Sequence, residues 1–319
     1  MKIGLHAPRR SSFWLVGPLA HLALKRGHEV WFLRDQRAIK PGDGWTPEER
    51  AKFFPGAQQG LLENFLGDWV AGPPPKQNMT SWDYQYLLRH DVQLCSIDPW
   101  LDSLAMPYED QYDMTHRTTR HGLVPTDGLE DVTPGDATDL VWFPPKSSVE
   151  GFASKAYHYA VTLLVGHMLS RWALRERLRF VIKTRPKITL PKRVLEAAVV
   201  VSDNALYPHD SLTLLARARY AVCHQSAAAM EAAAAGVRCL SIHLPQRHLR
   251  TYSHYALMQA RFGSPYAWPG VVDCMTLGQR FTLNTQMDWQ ARAAYIDTWF
   301  GGRVMGTSEW LLDEMEKRA

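Results

Sequence analysis

The stretch that decides the fold runs from Tyr220 to His243, YAVCHQSAAAMEAAAAGVRCLSIH. It opens and closes on short apolar, β-prone runs, Tyr220 to His224 and Arg238 to His243, and between them Ala227 to Ala235 is a helix-forming run of small residues ended by Gly236. Strand, helix and strand in that order are a crossover between parallel strands. Ligands of open parallel sheets bind beyond the carboxyl ends of the strands, which directs attention to Gln225, Ser226 and Ala227. Ser226 is placed as an N-cap, and the small residues behind it leave room for an anion at the free backbone N–H groups and the positive end of the helix dipole. Glu231 follows a little over one turn into the helix, where a carboxylate accepts hydrogen bonds from sugar hydroxyls. The same spacing describes an ordinary capped helix whose alanines pack tightly on a sheet, and both readings stand.

Working outward, the second half of the chain keeps the alternation. Strands are expected at Leu140 to Phe143, Phe180 to Lys183 and Ala198 to Ser202, and helices at Ser154 to Leu178, Pro191 to Ala197 and Ser211 to Ala218. Strict alternation means a doubly wound parallel sheet. Amphipathic helices near Tyr252 to Arg261, Asp288 to Trp299 and Thr307 to Lys317 form the tail. At the other end, Lys2 to His6 reads as a strand, Phe13 to Lys25 as a helix closed by Gly27 near C′, and Glu29 to Leu33 as the next strand, a right-handed βαβ unit. From Arg34 to Leu94 the pattern weakens into irregular and short helical pieces, of the kind that shapes an acceptor site or lid. Val92 to Ile97 reads as a strand, and Met106 to Thr138 as loops leading to a linker.

At 319 residues the chain exceeds the usual single core, and the expected division is an N-terminal Rossmann-like domain over 1–137, a second over 138–300, and a C-terminal helix over 301–319 that packs back on the first. A cleft between the two domains follows. The hydrophobic fraction of 46% and charged fraction of 21% are those of a globular chain without a tract that must stay disordered. No apolar run approaches the ~18 residues of a membrane span and the first residues enter a core strand, so a cytoplasmic location is expected. The four cysteines lack metal-ligand spacing. A net charge of +4 suits a phosphate pocket and falls short of a dedicated nucleic-acid surface, so nucleic acid is permitted as a partner but not favoured. Twelve tryptophans suit stacking on sugars or bases, although most tryptophans are core or interface residues. No Asp-x-Asp pair, HExxH or glycine-rich dinucleotide or P-loop signature accompanies a strand end, which argues against a metal, a nicotinamide or an ATPase site.

The run His224 to Ile242 resembles the donor-site segment of GT-B enzymes, in particular the group of UDP-N-acetylglucosamine 2-epimerases, CDP-glycerol glycerophosphotransferases and capsule glycosyltransferases. There a Ser after a C-terminal-domain strand binds the donor diphosphate, and a Glu followed by Ala one turn later binds the ribose. Ser226, Glu231 and Ala232 match them. The segment Tyr207 to Leu215 resembles the stretch that passes the nucleobase, which implies base or ribose contacts for His209 and Asp210. Lys183, Thr184, Arg185, Pro186 and Lys187 resemble the Lys and Pro segment after the corresponding strand. Three cations there neutralise a departing diphosphate, or form a solvated loop. At the first strand, Arg10 stands eight residues before Pro18, the spacing that the epimerases keep between the Arg of Thr-Arg-Pro-Glu and a Pro-Leu, while the motif itself is absent.

The resemblance implies a metal-independent glycosyltransferase that moves a sugar from a nucleotide-sugar co-substrate, with no other cofactor, to a hydroxyl on a carbohydrate, lipid or other acceptor. His6 is the candidate base for the acceptor proton, with Arg10 beside it, and a hydrogen-bonded core histidine is the competing reading. Lys146, Ser147 and Ser148, and the basic run His116, Arg117, Arg120 and His121, are weaker candidates. Alternatives are a sugar-nucleotide epimerase, a DNA-base glycosyltransferase and a non-catalytic nucleotide-sugar-binding protein.

Overall fold

The computed structural model describes residues 1–7, 13–34, 46–72, 93–96, 124–145, 155–184, 188–202, 207–224, 226–243, 265–280 and 282–319. The chain forms two compact units: Met1–Asp131, Ala205–His209 and Trp299–Ala319 make the first, and Val132–Asn204 and Asp210–Thr298 the second.

In unit 1 the strands β1 (Lys2–His6), β2 (Glu29–Arg34), β3 (Gln58–Leu61), β4 (Trp69–Gly72) and β5 (Gln93–Ser96) form one parallel sheet in the order β3-β2-β1-β4-β5. β1 is central, and its Ile3 and Leu5 are completely buried. Helix α1 (Phe13–Lys25) covers the sheet through Val16, Leu19, Ala20 and Ala23. It ends as its sequence requires: the N–H of His28 donates to Ala23 O (3.0 Å) and that of Gly27 to Leu24 O (3.0 Å), with Gly27 at φ 80°. Helix α2 (Pro47–Phe53) starts on a capping box between Thr46 and Glu49.

Two expectations are corrected in this unit. The stretch read as irregular contains β3 and β4, each of four residues. β4 is buried along its whole length and so shows no alternation, while β3 is a short polar edge strand. The loops read between Met106 and Thr138 contain the helical turn α3 (Val124–Asp127), which carries Val124 into the core.

Unit 2 holds β6 (Asp139–Trp142), α4 (Lys155–Glu176), β7 (Arg179–Lys183), α5 (Lys192–Glu196), β8 (Val199–Val201), α6 (Asp210–Leu215), β9 (Ala218–Cys223), α7 (Ala228–Ala234), β10 (Cys239–His243), β11 (Val272–Thr276) and all but the last two residues of α8 (Trp289–Phe300). All six strands are parallel, in the order β11-β10-β9-β6-β7-β8. β11 has no counterpart among the expected strands, and the expected helix near Tyr252 to Arg261 lies outside the described residues. Tyr220, Val222, Leu240 and Ile242 form one core with Val161, Val165, Leu169 and Trp172 of α4. Gly166 lets α4 approach α5: a Cβ there would lie 2.6 Å from Val194 Cγ1. Helix α7 buries every residue, and its small side chains keep it close to the sheet. Gly236, at φ 73°, ends it with the N–H of Val237 donating to Ala232 O (2.8 Å), and the Arg292 guanidinium donates to Ala233 O (2.7 Å) and Ala234 O (2.8 Å).

The last helix, α9 (Thr307–Arg318), belongs to unit 1. Leu311, Leu312 and Met315 enter that unit's core, and the N–H groups of Thr307 and Ser308 donate to Asp127 Oδ1 (3.1 Å) and Oδ2 (2.5 Å). Arg26, just past α1, pairs with Asp313 (2.6 Å) and Glu316 (3.2 Å). Residues 207–209 join the same unit through Tyr207, which stacks on His21 at 4.9 Å and hydrogen-bonds Asp131.

Candidate functional site

The strand order of unit 2 fixes where a ligand fits. From β6 the chain proceeds to β7 and β8 on one side, and from β9 to β10 and β11 on the other. The connections therefore diverge between β6 and β9, which makes the crevice beyond the carboxyl ends of these two strands the topological switch point of the sheet. Phe143 and His224 are the first residues past those ends, and the N–H of Phe143 still donates to Val222 O at 2.8 Å. Lys183 ends β7 and His243 ends β10, in the flanking positions of the same edge.

Ser226 follows this edge directly. Its hydroxyl accepts the N–H of Ala228 at 3.2 Å, so it caps the turn that starts α7, but the cap position of the helix itself is Ala227, one residue later than expected. The reason is a tight first turn: the N–H groups of Ala229 and Met230 already donate to Ser226 O and Ala227 O, both at 2.9 Å. A ligand oxygen there competes with the Ser226 hydroxyl for the Ala228 N–H. Glu231 lies in the first turn of α7 and is 7% exposed, and Lys183 at 4% and Thr184 at 9% are equally withdrawn from solvent. In unit 1, His6 is fully buried at the end of β1, where a Cβ on Gly72 would lie 2.7 Å from the His6 Cβ. Asp210 opens α6 in unit 2, whereas His209 belongs to unit 1 with Tyr207. Arg10, Arg185, Lys187 and Gln225 lie outside the described residues, as do Lys146, Ser147, Ser148 and the basic run at His116.

The structure adds a group that sequence reading did not single out. The indole N–H of Trp142 donates to His224 Nε2 at 3.2 Å. An indole N–H only donates, so Nε2 is the acceptor and the neutral ring is assigned its proton on Nδ1. That Nδ1 is buried and has no hydrogen-bond partner among the described residues. Burial, followed by the positive charge that His158 and His243 would carry, holds the His224 pKa down at about 3. His243 is also lowered by burial, and its Nε2 lies 3.2 Å from Ser241 Oγ. The available signal was two consecutive strands each followed or ended by a histidine. Beneath the crevice, Cys223 and Cys239 are buried free thiols with their sulfurs 3.8 Å apart, and burial pushes the Cys239 thiol well up. Among the described residues, no three His, Cys, Asp or Glu side chains converge as metal ligands, and no helix is long and apolar enough to cross a membrane.

No family model matches the chain, and no curated protein matches it in sequence. Solved structures do. A UDP-GlcNAc 2-epimerase from Neisseria meningitidis, bound to UDP-GlcNAc, matches over 99% of this chain and 100% of its own with a TM-score of 0.56 and 11% identity. A further UDP-N-acetylglucosamine 2-epimerase matches over 100% of this chain and 96% of its own, with a TM-score of 0.52 and 12% identity. UGT89C1 of Arabidopsis thaliana, complexed with UDP, matches over 98% and 99% with a TM-score of 0.51 and 10% identity. At such identities the likeness speaks for the fold. The chain has the GT-B type of fold, two Rossmann-like α/β units, as the resemblance of its donor-site segment implied.

Proposed function

We propose that the chain is a metal-independent glycosyltransferase that binds a nucleotide-sugar and passes its sugar to an acceptor hydroxyl. The observation that carries this reading is the strand order, which puts the end of β7 at Lys183 and the turn after β9 at Ser226, with Glu231 one turn further on, on either side of the switch point of one parallel sheet. It is supported by two structural neighbours of the same fold that hold a UDP-sugar or UDP. In this reading the Ser226 hydroxyl and the N–H it now occupies turn to the diphosphate, and Glu231 accepts from the ribose hydroxyls. Lys183, with Arg185 and Lys187 after it, offsets the charge that the diphosphate gains as the sugar leaves. His209 and Asp210 contact the base or ribose, Gln225 and Ala227 line the phosphate site, and His6 with Arg10 takes the acceptor proton.

Two of the structural neighbours are 2-epimerases, which keeps sugar-nucleotide epimerisation as the second reading. That reaction consumes a sugar nucleotide without an acceptor, whereas transfer requires one. Location in the cytoplasm and a carbohydrate or lipid acceptor belong to the proposal as well. The test is a thermal-shift screen with UDP, GDP, CDP, dTDP and CMP and their sugar conjugates. A ligand at 100 times its Kd stabilises the folded chain by about 2.7 kcal/mol, enough for a clear rise in Tm. A shift by one nucleotide class, abolished in Ser226→Ala and Glu231→Ala, supports the site, and no shift from any nucleotide rejects it.

A further inference from the structure

The second feature of unit 2 lies away from its donor crevice, and it does not depend on the function proposed above. Helix α4 buries one side, with Val161, Val165, Leu169 and Trp172 against the sheet. The opposite side of such a helix ordinarily carries charged and polar residues. Here it also carries large apolar side chains: Leu164 is 57% exposed and Leu174 81%, with Tyr159, 52% exposed, on its flank. His167, Arg171 and Arg175 stand among them, three to four residues apart, so they share that side. A hollow of about 530 Å³ runs along it from Leu164 to Arg175.

The charges on this face have one sign. From Lys155 to Arg175 the helix has no acidic residue, and its single carboxylate, Glu176, lies at the far end beside Arg175 (2.9 Å). Two copies of the face are a poor match for each other. Two copies of the face would offer its cations only like charge or apolar side chains, since no carboxylate before Glu176 is there to pair them. The face needs an occupant that is apolar and anionic at once. An anionic lipid surface supplies both at the right depths: leucine and tyrosine side chains enter below the headgroups, while the longer arginines reach back to the lipid phosphates. From Tyr159 to Arg175 the helix is about 24 Å long at 1.5 Å per residue, which suits a helix lying along a membrane surface.

We propose that the outer face of α4, built on Leu164, Leu174, Arg171 and Arg175, docks this chain reversibly on anionic lipid membranes. The full chain is tested by co-sedimentation with large unilamellar vesicles, either pure phosphatidylcholine or phosphatidylcholine with about one third phosphatidylglycerol. Binding is expected to the anionic vesicles, with little to the neutral ones, and it falls as salt is raised. Each arginine contributes about a fivefold change in partitioning, so Arg171→Gln with Arg175→Gln weakens binding about twenty-fivefold. Leu164→Ser with Leu174→Ser weakens it at least about tenfold. Both pairs are exposed, and an unchanged Tm shows that each variant is folded. The arginine pair is the safeguard should the leucine variant prove unstable. No binding to either vesicle, equal binding to both, or binding that survives the arginine substitutions overturns the proposal. A dimer in solution that the leucine substitutions abolish overturns it as well, because the face would then be an interface between copies.

Discussion

Asp127 gives the sharpest test of how unit 1 is held together. Its carboxylate is 5% exposed and accepts the first two free N–H groups of α9, from a position 180 residues earlier in the chain. Burial pushes its pKa up to about 6, against the pull of the Ser308 and Thr307 donors. The unfolded value is about 3.9. A carboxyl raised in the folded state holds its proton there over a range in which the unfolded chain has lost it. Its contribution is therefore greatest below about pH 4, declines as pH rises to about 6, and is flat above that. The rise makes the folded carboxyl about a hundredfold stronger in holding its proton, and at about 1.4 kcal/mol for each factor of ten the total change is about 3 kcal/mol. In Asp127→Asn the amide oxygen keeps one N–H acceptor, the other bond is lost at about 1–2 kcal/mol, and the group no longer titrates. The stability advantage of the parent chain over Asp127→Asn should thus shrink by about 2 kcal/mol between pH 4 and pH 7, because the unfolded carboxyl is already about half ionised at pH 4. Urea unfolding at matched pH values gives the difference, and subtraction removes the groups common to both chains. Amide hydrogen exchange of α9 locates the effect in that helix. Curves that stay parallel across this range would refute the assignment of a buried, proton-holding cap.

Other consequences are simpler to state. His224, held neutral with a pKa near 3 against about 6.5 unfolded, contributes stability that is complete above pH 6.5 and lost as pH falls. His224→Phe should therefore abolish a loss of about 2 kcal/mol between pH 6.5 and 5, read from urea midpoints. Gly166→Val should destabilise unit 2 by about 1–3 kcal/mol, because its Cβ meets Val194 Cγ1 at 2.6 Å, and Val194→Ala in the same chain should restore part of the loss in a thermal melt. Ser226→Ala should lower stability by about 1 kcal/mol through the lost Ala228 N–H cap, while reducing nucleotide affinity measured by calorimetry. Unchanged affinity with lowered stability would leave Ser226 only its structural part.

Most of the fold was legible because its signals are local. Strand β1 and helix α1 have the limits that Lys2 to Lys25 imply, and the glycine ends of α1 and α7 stand where Gly27 and Gly236 put them. The alternation from Leu140 to His243 gave a parallel sheet, and hence the edge at which Ser226, Glu231 and Lys183 belong. Apolar periodicity and caps act within a turn or two of the chain, so sequence writes them directly. Two short strands escaped that reading: β4 is buried along its whole length and β3 is polar, and neither shows a period. What only the tertiary structure decided depends on strand order and chain return. Trp142 meets His224 because β6 and β9 are neighbours despite two intervening strands, and that contact sets the tautomer of the histidine. Asp127 caps α9 because the end of the chain returns to unit 1. The side chains carry no local mark of either pairing, since the energy that selects them is the burial of whole faces, summed over segments far apart in sequence.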